Sequence, residues 1–448
     1  AEDWRVLQAI GRYFFQANHY GYIVAGEFHR GHHRGGGQWV NVQERDRIRA
    51  LQLMEQARTL ALEDRGAQGN EISRLFTEYA SFLIGFRGYG ESWRLQYLTD
   101  LTELPAHDMP VATGGTMGAP VDADGDPVFH RMPRSFEAAE TDGQRWRWLM
   151  MQAIEYDNGR TNEILTQFAD FLNNQFGVQT LRTYPGLFGR TAGTEDTETR
   201  GKVFQLQTLE ETETLAKLAN GVKRFDLPDE FNYIHLLQRV ADNGKSGYGS
   251  AALEQLARIF ENRRQYPKAA EYWRRVIDQY GAGHNNYRKN HLDQIVKNWG
   301  RFDPVGTFAP GETPTVDFLF RNADRVSFQA REIKVAELLN DVKEYIKSKP
   351  AQLRYEKLNI SNIGQRLVYH DQKQYVGDKV AEWSMILEPL DDHFDRRITV
   401  PIPIRKPGAY LVEGKVGNGN ETRIVVWIAD TAIVQKQLEG RNYYYVAD

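Results

Sequence analysis

Residues 302–330 read FDPVGTFAPGETPTVDFLFRNADRVSFQA, and the texture of the chain changes within them. Pro304, Pro310, Gly311 and Pro314 crowd the first half, where regular structure is interrupted. Beyond them Val316, Phe318 and Phe320 alternate with other residues, and after a turn at Asn322–Asp324 the alternation resumes at Val326, Phe328 and Ala330. A period of two sets such side chains on one face of a pleated strand. Two strands joined by a short turn are expected.

The same texture continues toward the carboxy terminus. VAEWSMILEP, RRITVPIPI, PGAYLVEGKV and ETRIVVWIAD are short apolar segments separated by turn signals such as KPG and GNGN. Strands at this spacing predict an antiparallel β-sandwich over residues 314–430, an alternation that fibronectin-like sandwiches share. One segment breaks the pattern: Leu338, Leu339, Val342, Tyr345 and Ile346 follow helical spacing, so AELLNDVKEYIKS is a helical insert. Residues 431–448, with IVQKQLEGRNYYYVAD, read as a hairpin or the first strand of a further domain.

Upstream, residues 1–300 read as helical, and 301–313 as a linker. Asn41 with Glu44 has the spacing of a capping box, and Ile48, Leu51, Met54, Ala57 and Ala61 form one apolar stripe ending near Gly66. After Asn70 the residues Ile72, Leu75, Phe76, Tyr79 and Phe82 repeat it. An insert rich in Gly, Pro and Asp occupies about 105–133, helices resume with DGQRWRWLMMQAIEY and TNEILTQFADFL, and FGRTAGTEDTETRG makes a second break before a helical run from about Leu206 to Asn220. The strongest internal signal is SAALEQLARIFENRRQYPKAAEYWRRVIDQYGAG, residues 250–283, with a turn at Gln265–Pro267. Its small and large apolar residues resemble a tetratricopeptide repeat. The fold class is therefore multidomain, α then β.

Bulk properties exclude several functions. The 448 residues carry 56 basic and 60 acidic side chains, a net charge of −4, so neither nucleic acid nor an anionic membrane is indicated as a bulk partner. No segment approaches the roughly eighteen consecutive apolar residues of a membrane span. The absence of cysteine removes disulfides, zinc-thiolate sites and cysteine nucleophiles. The first residue, Ala1, suits a mature secreted product or an excised piece, and no signal peptide precedes it in this chain.

Four stretches could carry chemistry. FHRGHHRGGG, residues 28–37, offers His29, His32 and His33 as metal ligands with Glu27 as a fourth, or Arg30, Arg34 and the amides of Gly35–Gly37 as an anion nest. Ligation at these spacings needs a helix, which the glycines oppose, so the favoured reading is a loop joining the first two helices and packed through Phe28 and Trp39. DADGDP, from Asp122 to Pro127, suggests calcium, but the twelfth residue from Asp122 is Pro133 rather than Glu. Asp124-Gly125 then reads as a hairpin turn flanked by strands around Val121 and Val128. Asp391, Asp392 and His393 read as a solvated turn, and Trp146–Trp148 as helix core plus a surface aromatic. No GxSxG, HExxH or phosphate loop is present, so the expectation is a non-enzyme with no catalytic, cofactor or metal residues and no cofactor.

The carboxy-terminal third resembles the macroglobulin domains of the bacterial alpha-2-macroglobulin family. The resemblance lies in PGETPTVDFLFRNADRVSFQAREIKV, PGAYLVEGKVGNGNETRIVVWIADTAIV and KQLEGRNYYYVAD. The helical region is similar, more diffusely, to the amino-terminal part of large extracellular alpha-helical proteins of that family. The resemblance implies an extracellular or periplasmic scaffold with protein partners, among them proteases in the context of a longer chain, and a role in protease inhibition or cell-surface defence. The family's thioester needs a Cys-Gly-Glu-Gln motif, absent here, and no bait-like segment is found. Either such parts lie beyond Asp448 in a longer protein, which is the favoured expectation, or this lineage uses the domains only as a scaffold. The rival reading is a tetratricopeptide adapter whose sandwich binds protein or carbohydrate and is unrelated to proteases.

Overall fold

The computed structural model describes residues 3–86, 91–107, 118–178, 205–358, 363–368, 372–429 and 431–447. The expected break at 188–201 and part of the 105–133 insert lie outside them. Helices dominate the amino-terminal half and sheets the carboxy-terminal half, as expected. Two compact units divide the chain: described residues up to 265, with 278–280, form the first, and 266–277 with residues from 281 onward form the second.

In the first unit α1 (Trp4–Gln16) begins at Asp3, whose carboxylate accepts the Arg5 N–H at 2.9 Å. A small antiparallel sheet follows, with β1 (Tyr20–Val24) between β2 (Glu27–Arg30) and β3 (Gln38–Asn41). Here the expectation of a loop over residues 28–37 is corrected at Phe28–Arg30, which belong to β2, while 31–37 form the connection from β2 to β3. Strands this short, one of them containing Gly21, carry too little alternation to be recognised from the chain alone. Gly21 is required by the pairing: a Cβ there would meet the His29 carbonyl at 2.3 Å and the Phe28 ring at 2.5 Å.

Helix α2 (Gln43–Glu63) buries Leu51, Met54, Ala57 and Ala61 of the expected stripe, while Ile48 is only half-buried. The capping box does not form. Asn41 ends β3 and its side chain accepts the Gln43 N–H, whereas Glu44 turns to Arg47. Helix α3 (Gly69–Ile84) buries Leu75, Phe76 and Tyr79 and packs on both α2 and α4 (Asp142–Tyr156). Helix α5 (Thr161–Phe176) continues the array.

The helical run expected over about 206–220 is corrected to a 3-10 turn at Leu206–Thr208 and a hairpin of β4 (Glu213–Leu218) with β5 (Gly221–Asp226). Leu, Ala, Glu and Lys favour helix locally. Burial of Leu215, Ala216 and Leu218, and the tight turn before Gly221 with φ of +128°, override that preference. Helices α6 (Tyr233–Asp242) and α7 (Gly247–Asn262) complete the unit; Asn232 caps the first and Ser246 the second. Of the expected helix pair at 250–283, α7 falls in the first unit, and most of α8 (Tyr266–Tyr280) in the second.

The second unit continues with α9 (Tyr287–Val296), and His291 on it stacks on Trp273 at 4.9 Å. Residues 301–313, read as a linker, contain the end of β6 (Trp299–Phe302) and all of β7 (Thr307–Phe308). The quoted stretch forms β8 (Thr315–Arg321) and β9 (Arg325–Ile333). These two do not pair with each other. β8 lies between β6 and β11 (Arg396–Pro401); β9 lies between β10 (Val376–Ile386) and β12 (Gly408–Val416), and β13 (Glu421–Ile428) and β7 complete a five-stranded sheet. All pairings in these two sheets are antiparallel except that of β7 with β13.

Side chains from both sheets share one core: Val316, Phe318 and Phe320 of β8, Val326, Phe328 and Ala330 of β9, and Tyr410, Val412 and Val416 of β12. Each fully buried aromatic there contributes roughly 2–3 kcal/mol of transfer free energy. Ala409 and Leu411, the intervening residues of β12, face a second core with Ile333. That core is closed by α10 (Val335–Lys347), the expected helical insert, and by α12 (Ile363–Val368), with the short α11 (Tyr355–Leu358) between them. A hairpin, β14 (Ala432–Leu438) with β15 (Arg441–Ala447), ends the described chain.

Candidate functional site

Two features of the second unit present unused binding capacity. The first is β10, an outer strand eleven residues long, paired among the described residues only with β9. Its register is irregular between Val376 and Ala381 and continuous from Ala381 to Ile386. The irregular part blunts the edge, as outer strands commonly do; the continuous part leaves a row of backbone donors and acceptors facing outward. Trp383 stacks from inside on Phe328 at 5.2 Å, and its buried indole N–H has no acceptor among the described residues.

The second feature is the β14–β15 hairpin. Its turn, Glu439-Gly440, has φ of +51° and +72°, the left-handed pair that matches strand twist in a two-residue loop. Tyr443, Tyr444 and Tyr445 are 52%, 61% and 69% exposed. Because successive strand residues point to opposite faces, exposure of all three means that this strand is uncovered on both sides. A two-stranded sheet alone is marginal in water. Tyrosines so placed are the residues that most often anchor a protein interface.

The stretches singled out from the sequence are placed elsewhere. His29 and His33 stack, ring centroids 4.9 Å apart, while His32, Arg34 and Glu27 are exposed. Among the described residues no group of three or more His, Asp or Glu is placed to hold a metal ion. Arg30 is not part of an anion nest: its guanidinium forks onto the buried Asp46 at 2.5 and 2.7 Å, and His19 Nδ1 lies 3.0 Å from the same carboxylate. Phe28 does pack, against His107 at 4.8 Å, but Trp39 is 54% exposed on β3 and contributes no such packing.

Asp122 organises its loop as a turn. Its carboxylate accepts the N–H groups of Asp124 and Asp126, Gly125 has φ of +86°, and Val121 bridges to Pro127 without extended strands on either side. Asp391–His393 is a 3-10 turn in which His393 Nδ1 meets Asn322 Oδ1 at 2.8 Å. Burial first, then Arg274, lowers the pKa of His393. Trp146 is buried and Trp148 half-buried against Phe76 and Phe136, so neither is a surface aromatic. Between them, Arg147 lies 3.8 Å over the Phe168 ring, and burial lowers its pKa to about 10.

Sequence reasoning missed the charges inside the first unit. Arg47, fully buried, donates to Asp142 Oδ2 at 3.2 Å, to the Leu83 carbonyl at 3.1 Å and to Thr99 Oγ1 at 3.2 Å. A polar groove of about 610 Å³ runs along α1, α3 and α5, where Arg5 pairs with Glu71 and Arg12 with Glu78. These are structural ties.

The fold defines a class first: a chain with helices dominating its amino-terminal half and sheets its carboxy-terminal half. Solved structures of native alpha-2-macroglobulin from Escherichia coli are similar to it. One, spanning domains MG0, NIE and MG1, matches with 16% identity and a TM-score of 0.23 over 34% of this chain and 45% of that one. Another, spanning NIE and MG1, matches with 15% identity and a TM-score of 0.23 over 34% of this chain and 69% of that one. No family model and no curated protein matches the chain. No helix among the described residues is long and apolar enough to cross a membrane.

Proposed function

We infer that this chain is a non-catalytic, protein-binding scaffold of macroglobulin type that works outside the cytoplasm, in protease inhibition or surface defence. The two sheets over one core act as a β-sandwich, and tetratricopeptide-like hairpins of the helical region supply a second protein-binding face. The observation that carries the reading is the side of β10 from Ala381 to Ile386 that no strand among the described residues pairs with. Such an edge takes up an extended segment through main-chain hydrogen bonds, with alternate side chains giving specificity. Resemblance of the quoted 310–335 and 407–434 segments to macroglobulin domains supports the family assignment.

The test is native mass spectrometry of the chain with a panel of secreted endopeptidases, using wild type and Ser384→Pro. A proline in the continuous part of an outer strand disturbs an added strand more than the existing core. The expected result is a complex with at least one endopeptidase, weakened about tenfold by S384P with unchanged circular dichroism. No complex across the panel removes the inhibitory role. A complex indifferent to S384P removes the role of the edge.

A further inference from the structure

Helix α10 is anchored along one face only, where Leu338 and Val342 are buried with Ile333, Leu367 and Leu411. Its last turn and the segment after it carry a different set of side chains. Ile346, Leu353 and Tyr355 are 53%, 66% and 70% exposed. Tyr345 ties the segment to the helix end: its hydroxyl donates to the Gln352 carbonyl at 3.2 Å and accepts the Arg354 N–H at 2.9 Å, so the backbone on either side of Leu353 lies against the last turn. Lys349, with φ of +45°, makes the reversal, its N–H bonded to the Ile346 carbonyl.

The charge around these residues is one-sided. From Lys343 to Lys357 the sequence holds five cationic side chains and two carboxylates, within a chain of net charge −4. Lys343, Lys347, Lys349, Arg354 and Lys357 are exposed. Glu344 is paired with Lys347 at 2.8 Å, and the Lys357 ammonium sits 5.0 Å over the Tyr345 ring. The balanced total charge thus conceals a local cationic tip studded with large apolar side chains.

We propose that this tip, residues 343–357, binds the surface of an anionic lipid bilayer. Ile346 and Leu353 enter the boundary between headgroups and acyl chains, Tyr355 lies at the headgroup level, and the lysines with Arg354 meet lipid phosphates. Separate aliphatic side chains ringed by cations match that boundary, where apolar and electrostatic attraction add. Tyrosine is enriched at this depth because its ring is apolar and its hydroxyl polar. An acidic protein partner would account for the cations but not for the exposed Ile346 and Leu353. The proposal is independent of the β10 edge.

Sedimentation of the whole chain with vesicles tests it, comparing phosphatidylcholine alone with phosphatidylcholine containing phosphatidylglycerol. The expected result is co-sedimentation with the anionic vesicles only, weakened by added salt. Replacing Lys343, Lys349 and Arg354 with Gln lowers partitioning by about fivefold for each cation. Ile346→Ser with Leu353→Ser lowers it by about tenfold at unchanged charge. All five side chains are exposed, so urea unfolding of both variants should match wild type and show that they fold. No binding to anionic vesicles, or binding indifferent to both variants, overturns the proposal. Retention on immobilised polyglutamate without vesicle binding also overturns it, in favour of an acidic protein.

Discussion

Arg47 and Asp142, 95 positions apart in the chain, meet at 3.2 Å inside the first unit. Arg47 sits near the start of α2 and Asp142 at the start of α4, and Thr99 joins both, its backbone N–H donating to Asp142 Oδ1 at 3.0 Å. The carboxylate also occupies the first turn of α4, where the helix dipole favours negative charge. Removing one partner leaves the other buried and uncompensated.

Asp142→Ala is therefore expected to destabilise the first unit by about 3–5 kcal/mol, because it leaves the Arg47 guanidinium buried without its carboxylate. Arg47→Met is expected to cost less, because Asp142 keeps the Thr99 N–H and hydroxyl as donors and Arg145 at 3.6 Å. Urea unfolding followed by circular dichroism measures both. Equal losses would show that packing, not charge, dominates the site.

His130 gives stability a dependence on pH. Burial lowers its pKa from the ordinary 6.5 to about 4. Between those values the unfolded chain takes up a proton that the fold excludes, so stability is highest above pH 6.5 and falls as the pH drops toward 4. The expected contribution is about 3 kcal/mol across that window. It should shrink in His130→Leu when unfolding midpoints are compared at pH 7.5 and pH 4.5. Gly143→Ala should be severely destabilising at any pH, since its Cβ would lie 2.1 Å from the His130 ring.

Phe328 joins the two sheets, touching Phe302, Phe318 and Trp383. Phe328→Ala is expected to cost the second unit about 3–5 kcal/mol through lost transfer energy and the cavity left behind. Thermal unfolding followed by tryptophan fluorescence reads this, because Trp383 loses its stacking partner.

Tyr443, Tyr444 and Tyr445 are expected to separate stability from binding. Replacing all three with Ser should move the thermal midpoint of the second unit very little, since exposed side chains contribute within about 0.5 kcal/mol each. A large fall in the midpoint would show that the hairpin is packed, and not available to a partner.

Legibility of the sequence varied by element for identifiable reasons. The strand identities of Val316–Phe320 and Val326–Ala330, and the helix holding Leu338 and Val342, are readable because one buried face imposes its period on neighbouring residues. The same rule misleads at Leu215–Leu218, where helix-favouring residues are taken into a hairpin by burial. It is silent for β1–β3, which are too short to show a period. His29, His32 and His33 draw attention by type, yet residue type carries no information on where the rings point.

Local periodicity and composition, then, were enough to establish the order of helix before sheet, the absence of cysteine chemistry and the helical insert. Folding in three dimensions alone decided that β8 and β9 enter different sheets, that Arg47 finds Asp142, and that the Tyr345 hydroxyl ties the segment around Leu353 and Arg354 back to the end of α10. The reason is physical. A repeat along the chain reflects a single face and needs only near neighbours, whereas strand order, charge partners and surface patches arise from residues that become neighbours only once the cores have closed.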